Sequence, residues 1–211
     1  MMNMNIDYSH TKKFNRSSNA WGLVFLCLFM TVFSTVRAQE YQYELDPAHT
    51  TIGFFVEHIG FAKVFGFFRE FVGSYKFDEE TGEVSSVIIN VETDSVFTNH
   101  RRRDAHLRSA DFFNSRKFPS LIFSGEMTKV INEETFEITG DLQLLGVERP
   151  LTLVATWNKS GVYPFGDKNY VMGVSARGSF KRSDFGMNYS VENGWVGDTV
   201  EIMIEFEAIR L

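Results

Sequence analysis

Apolar and polar residues alternate along most of the chain after residue 38, and this alternation constrains the fold more than any other feature. In segment 84–93, for example, Val87, Ile89 and Val91 fall on one face and more polar residues on the other. Successive side chains of a β-strand point to opposite faces, so the pattern predicts antiparallel strands with one buried face. The segments with this pattern are 42–45 and 50–56 (one strand broken at Asp46-Pro47), 68–77, 84–93, 120–130, 135–144, 151–158, 170–180 and 200–209. About eight strands at hairpin spacing predict a barrel or a sandwich.

The segment from Arg103 to Pro119 interrupts this pattern. It places a charged, hydrogen-bonding cluster directly beside several apolar residues, in an interval too irregular for a strand. We interpret it as a cap between strands. Two short stretches, 58–65 and 100–109, are candidate helices, and we expect little other helix. The cluster Arg101-Arg102-Arg103 is interpreted as solvated charge at a short helix start.

Residues 1–38 have the order of a secretory signal peptide: Lys12, Lys13 and Arg16 precede an apolar run, and Val36-Arg37-Ala38 resembles a cleavage site. We expect cleavage after Ala38, a periplasmic or secreted location, and a single mature domain over residues 39–211. That domain contains no cysteine, so its stability has to come from its core.

Charge excludes some classes of partner. The whole chain has 21 basic and 27 acidic residues, and the leader holds four of the basic and one of the acidic ones, which leaves a net charge of −9 after cleavage. This balance argues against nucleic acid and anionic membrane surfaces as partners. After removal of the leader we expect no stable insertion into a membrane.

An eight-stranded barrel either fills its interior with side chains or holds one small ligand. Of the 22 phenylalanines, 18 follow residue 38, and many cluster on segments expected early in the barrel or at its mouth. This composition suits a ligand cavity or a large aromatic core equally well.

A series of short motifs runs in order along the chain after residue 38. They include Leu45-Asp46-Pro47-Ala48-His49-Thr50, His58-Ile59-Gly60, Arg103-Asp104-Ala105-His106-Leu107-Arg108, Asp111-Phe112-Phe113, Lys117-Phe118-Pro119, Gly140-Asp141-Leu142, Arg182-Ser183-Asp184-Phe185-Gly186 and Val196-Gly197-Asp198. Together these motifs resemble the YceI-like family of exported, lipocalin-like lipid-binding proteins. The resemblance implies an all-β, extended eight-stranded antiparallel barrel with one or two short helices at the cap. It also implies a pore that holds a polyisoprenoid, an isoprenoid quinone or a fatty-acid derivative, no established catalytic residues, no other cofactor, and often a homodimer.

Under this resemblance the lumen is lined by the apolar face of the strands. The residues concerned are Phe54, Val56, Phe68, Phe71, Tyr75, Val87, Ile89, Leu121, Phe123, Leu142, Leu153 and Val174. The polar residues expected to anchor the strand ends and the cap are His49, His58, Asp104, His106 and Arg108, and the last three are candidates to meet a head group at the mouth.

Three other interpretations stay open. The histidines lack the His-x-x-x-His or paired-cysteine spacing that would make a metal site specific. A hydrolase needs a nucleophile beside a base, and the chain has no Gly-x-Ser-x-Gly elbow or other local signature of one. A structural or partner-binding barrel with a filled interior is the main alternative to a carrier, and it would yield no stoichiometric lipid on extraction.

Overall fold

The computed structural model describes residues 39–211, and this part of the chain is mostly β-structure. The predicted signal peptide lies outside the described residues. The strands are β1 Glu40–Leu45, β2 Thr51–His58, β3 Ala62–Phe68, β4 Phe71–Asp78, β5 Val84–Glu92, β6 Val96–Phe97, β7 Ser120–Val130, β8 Thr135–Leu144, β9 Val147–Val162, β10 Tyr170–Lys181 and β11 Val196–Arg210. Within residues 39–211 there is one α-helix, α1 Arg101–Leu107, and three short 3-10 turns.

The first two strands behave as one long strand with a break. Both β1 and β2 pair with β11, with Leu45 opposite Ala208 and Thr51 opposite Glu205. The break is the 3-10 turn at Pro47, which Asp46 begins by accepting a hydrogen bond from the Ala48 N–H at 2.9 Å. Proline cannot donate to a strand ladder, and the predicted interruption at Asp46-Pro47 is therefore confirmed.

The same relation holds for the next two pairs of strands. β3 pairs with β2 and β4 pairs with β1, so β3 and β4 form one broken strand. In the same way β5 pairs with β4 and the short β6 pairs with β3, so β5 and β6 form another. Counted this way, eight long strands follow one another in sequence order, and the pairing of β1 and β2 with β11 closes the sheet. All the pairings are antiparallel, which confirms the predicted closed eight-stranded barrel.

The candidate helix at 58–65 is wrong. Phe61 N–H donates to the His58 carbonyl at 3.1 Å, and Ile59 and Gly60 have φ of 52° and 70°. Two positive φ values at the centre of a four-residue turn define a type I′ hairpin turn, which suits the twist of the flanking strands. The rest of the segment, residues 62–65, belongs to β3, where Phe65 packs on Phe55 across the hairpin with ring centroids 5.0 Å apart.

The second candidate helix is confirmed. His100 caps α1 by accepting a hydrogen bond at Nδ1 from the Arg103 N–H at 3.2 Å, and Arg108 ends the helix. Arg101 and Arg102 are exposed and Arg103 is half-buried. Among residues 39–211, no helix has the length and apolarity needed to cross a bilayer.

The barrel has two distinguishable ends. Turn 59–61, segment 98–119 with α1, and loop 182–195 lie at one end, which we call the upper end. Turns 79–83, 131–134 and 163–169 lie at the lower end.

One glycine permits a close approach of two neighbouring strands in the barrel wall. A Cβ at Gly140 on β8 would lie 2.6 Å from the Cα of Gly125, its partner on β7.

Candidate functional site

A large cavity occupies the upper half of the barrel. Its volume is about 390 Å³, within the range of small-molecule sites in proteins, and its lining is dominated by apolar side chains from the inner face of the strands. Segment 98–119 contributes Leu107, Phe112 and Phe113, and Phe113 packs edge-on against Phe68 with centroids 5.5 Å apart. This upper cavity is therefore shaped for an apolar guest.

A second, smaller cavity lies below it. The lower cavity measures about 60 Å³ and is also apolar. Four residues line both cavities: Ile89, Phe123, Leu153 and Ile204. We call these four residues the waist, because they separate the two spaces.

The lower end of the barrel is closed by stacked tyrosines and a carboxylate. The Tyr43 and Tyr75 rings stack with centroids 5.2 Å apart. Glu79 accepts hydrogen bonds from the hydroxyls of Tyr43 at 2.7 Å and Tyr170 at 2.9 Å. Burial and the Glu79 contact raise the pKa of Tyr43, and burial raises the pKa of Tyr75, so both phenols are neutral hydrogen-bond donors across the ordinary pH range. The exposed residues that line the upper cavity, Ile59, Tyr189 and Trp195, all lie at the upper end, so the cavity is reached from that side.

The structure places eleven of the twelve predicted lumen residues against one of the two cavities. Those that line the upper cavity are Phe54, Val56, Phe68, Leu121 and Leu142; those at the waist are Ile89, Phe123 and Leu153; those on the lower cavity are Tyr75, Val87 and Val174. Phe71 lies at the start of β4 opposite Val91 and packs against the core without lining either cavity.

The rim of the upper cavity differs from the predicted mouth. His58 and His106 line the cavity, as does Arg103, which the sequence interpretation treated as surface charge. The His106 ring packs edge-on against the rings of Phe112 and Tyr189, with centroid distances of 5.0 and 4.9 Å. Its Nε2 lies 2.8 Å from Asp111 Oδ2. These contacts hold the side chain in place.

Asp104 and Arg108 do not reach the upper cavity, and their placement at the mouth is wrong. The buried Asp104 carboxylate accepts hydrogen bonds from the N–H and hydroxyl of Thr98, and so ties α1 to the residue that follows β6. Arg108 pairs with Asp94 at 3.4 Å and donates to the Val96 carbonyl. Both residues line an outer groove and serve to anchor the cap.

His49 lies on the barrel wall, away from the mouth. Its Nδ1 is 2.7 Å from Asp46 and 3.8 Å from Glu207, and the three side chains offer ligand atoms within 4.8 Å of one another. The hydrogen bond with Asp46 raises the pKa of His49, and the same bond lowers the pKa of Asp46. The His49–Asp46 hydrogen bond stabilises the turn between β1 and β2, and neither residue lines the upper cavity.

The sequence interpretation missed the role of Arg182. This side chain is 2% exposed and donates to four backbone carbonyls, those of Met187, Tyr189, Val196 and Gly197, at 2.7 to 2.8 Å. Burial lowers its pKa, opposed by the nearby Asp198 carboxylate. Arg182 thus fixes loop 182–195, which brings Tyr189 and Trp195 to the rim of the upper cavity.

These features define a class of protein: antiparallel barrels that enclose an apolar cavity reached from one end. Comparisons with known proteins agree over most of the chain. The YceI-like domain matches residues 43–208. Protein YceI of Salmonella agona (strain SL483) is 36% identical over 192 residues, covering 91% of this chain and 97% of that protein, and Protein YceI of Escherichia coli O157:H7 is 36% identical over 189 residues, covering 90% and 96%.

Solved structures give the same result. The crystal structure of a Campylobacter jejuni YceI protein aligns with a TM-score of 0.67 and 29% identity, covering 72% of this chain and 88% of that one. A domain from Saccharophagus degradans, described as a polyisoprenoid binding domain, shares the fold at a TM-score of 0.58 and 13% identity, covering 80% and 98%. The chain belongs to the YceI-like domain family.

Proposed function

We propose that the protein is an exported carrier that holds the tail of a long apolar amphiphile in the upper cavity. The ligand class is a polyisoprenoid, an isoprenoid quinone or a fatty-acid derivative. The observation that carries the proposal is the apolar space of about 390 Å³ inside a barrel whose lower end is closed by packed side chains. Family membership supports it, as does the polyisoprenoid binding described for the Saccharophagus degradans domain.

The energetics favour a ligand held mainly by its tail. Burying each methylene group contributes about 0.8 kcal/mol, so a chain of several isoprene or acyl units binds tightly without any strong polar contact. The polar groups on the rim, at Arg103, His58 and His106, are few and are suited to orient a head group. We therefore expect weak discrimination between tails of similar length.

A charge placed at the waist tests this proposal. Phe123 is 5% exposed and touches both cavities, so Phe123→Glu would leave an unpaired carboxylate in apolar surroundings or draw water in. We expect this variant to lose binding of a long-chain isoprenoid alcohol in a fluorescence titration of delipidated protein. Arg102→Ala, on the exposed surface, should bind as the wild type does. If the wild type shows no saturable binding, a filled structural barrel replaces the carrier.

The order of basic residues, apolar run and Val36-Arg37-Ala38 supports export with cleavage after Ala38. Intact mass or amino-terminal sequencing of protein from its own host should show a start at Gln39. A leader retained in the membrane fraction would contradict cleavage and leave the cavity proposal in place.

A further inference from the structure

Four exposed apolar residues surround the upper cavity on the side of turn 59–61 and loop 182–195. We call Ile59, Phe61, Tyr189 and Trp195 the mouth tip; their exposed fractions are 47%, 88%, 42% and 58%. Ile59, Tyr189 and Trp195 also line the cavity, so the patch is continuous with its interior. Phe61 follows Ile59 and Gly60 in the same turn and is the most exposed of the four.

The mouth tip is preformed. The Ile59 N–H donates to the Trp195 carbonyl at 3.1 Å, and Val196 pairs with His58, so the turn and the loop are fastened together. Arg182 holds the rest of the loop through backbone carbonyls. A ligand or surface that meets this patch has no loop to order first.

One residue of the mouth tip is present at a conformational cost. Ile59 occupies the first central position of the type I′ turn with φ of 52°, a position that favours Asn, Asp or Gly. A β-branched residue with positive φ is uncommon, and strained residues of this kind cluster at functional sites. Here the strained side chain is apolar and exposed, which helps neither stability nor solubility.

The chemistry of the patch fits a lipid bilayer. Tryptophan and tyrosine are enriched where proteins meet the membrane–water interface, because their rings are amphipathic. We infer that the mouth tip inserts shallowly into the interface of a zwitterionic bilayer, so that a lipid tail passes between bilayer and cavity without crossing water. This inference rests on the proposed function, since it concerns how that ligand enters. The net charge of −9 expected after cleavage makes apolar insertion, and not attraction to anionic lipid, the driving force.

Binding to phosphatidylcholine vesicles tests the inference, with protein purified from its own host and measured by flotation. Phe61→Ser should weaken vesicle binding about tenfold, because the Phe61 ring is 88% exposed in the free protein and would be removed from water on insertion. Phe165→Ser is the matched control: Phe165 is 72% exposed but lies at the lower end, and its loss should leave binding unchanged. High salt should also leave binding unchanged, since apolar insertion is not screened.

Ile59→Asn separates docking from folding. Asparagine suits the turn, so this variant should unfold at a higher temperature than the wild type and yet bind vesicles less well. Equal vesicle binding by the wild type and Phe61→Ser, or equal losses in Phe61→Ser and Phe165→Ser, would overturn the inference. A self-associated wild type that Phe61→Ser converts to monomer would instead assign the patch to a second copy of the chain and would also overturn it.

Extracted ligand distinguishes this inference from the proposed function. Phe61→Ser should retain its lipid on extraction while it exchanges that lipid with vesicles more slowly than the wild type. A wild type that carries no lipid on extraction and binds no long-chain amphiphile on titration refutes the carrier and with it this route of entry, even if the protein binds vesicles. A wild type that carries lipid but does not bind vesicles refutes the docking surface alone.

Discussion

Shortening Phe123 to alanine should change the length of the tail that the protein prefers. Phe123 belongs to the waist, and its ring stands between the upper cavity of about 390 Å³ and the lower one of about 60 Å³. Phe123→Ala would join the two spaces and let a longer tail continue downwards. Each additional methylene that enters contributes about 0.8 kcal/mol, which is roughly a fourfold gain in affinity.

The same substitution removes core packing. A buried Phe→Ala change typically lowers the free energy of unfolding by about 3–5 kcal/mol, so the variant should be less stable without ligand and should recover stability when a long tail binds. Phe136→Ala is the matched control, because Phe136 is equally buried and lines only the lower cavity. It should lose comparable stability without opening the waist.

Titration with saturated fatty acids of increasing length provides the assay. Affinity for the wild type should stop rising once the tail fills the upper cavity, and for Phe123→Ala it should continue to rise over several further methylenes. Phe136→Ala should follow the wild type. If Phe123→Ala and the wild type reach their maximum at the same chain length, the waist does not limit the ligand and the placement of the tail is wrong.

Two further predictions concern contacts that stabilise the barrel, the His49–Asp46 pair and the hydrogen bonds of Arg182. Because the folded pKa of His49 is raised, the protonated ring stabilises the fold fully below its unfolded pKa of 6.5, and this contribution is lost as pH rises through the folded value. Because the folded pKa of Asp46 is lowered, its carboxylate stabilises the fold above its unfolded pKa of 3.8, and this contribution is lost as pH falls through the folded value. The His49 imidazole should therefore titrate above 6.5 by NMR, and Asp46→Asn should lower that midpoint; an unchanged midpoint would contradict the contact. Arg182→Met removes the donors of four backbone carbonyls at about 1 kcal/mol each, so urea denaturation should show a loss of about 4 kcal/mol in the free energy of unfolding. A loss below about 1 kcal/mol would show that the loop does not depend on Arg182.

Much of the barrel is predictable from the sequence because its strands are amphipathic. Alternation placed β8 at its observed bounds, 135–144, and proline marked the break between β1 and β2. The break between β3 and β4 was missed, since Arg69 and Glu70 carry no turn signal and a run of phenylalanines obscures the alternation before them. Cross-strand pairing decides the structure there, and it depends on residues far away in the sequence.

The lumen was predictable for the same reason, and the rim was not. Because successive side chains of a strand point to opposite faces, the alternating pattern assigns Phe123 and Leu142 to the inner face once the sheet is closed. Which way a short helix turns its polar residues depends on the element it packs against, and so Asp104 and Arg108 were placed at the mouth wrongly. Trp195 lies on a loop without periodicity, and it reaches the cavity because Arg182 binds the loop carbonyls and the Ile59 N–H donates to the Trp195 carbonyl.

Mass spectrometry of lipid extracted from protein purified under native conditions from its own host distinguishes a loaded carrier from a filled barrel. We expect close to one long-chain amphiphile per barrel in the wild type and only background in the Phe123→Glu variant. The absence of lipid above that background in the wild type, together with no binding of a long-chain quinone or fatty acid on titration, would contradict the carrier and leave a barrel whose interior serves only its own stability.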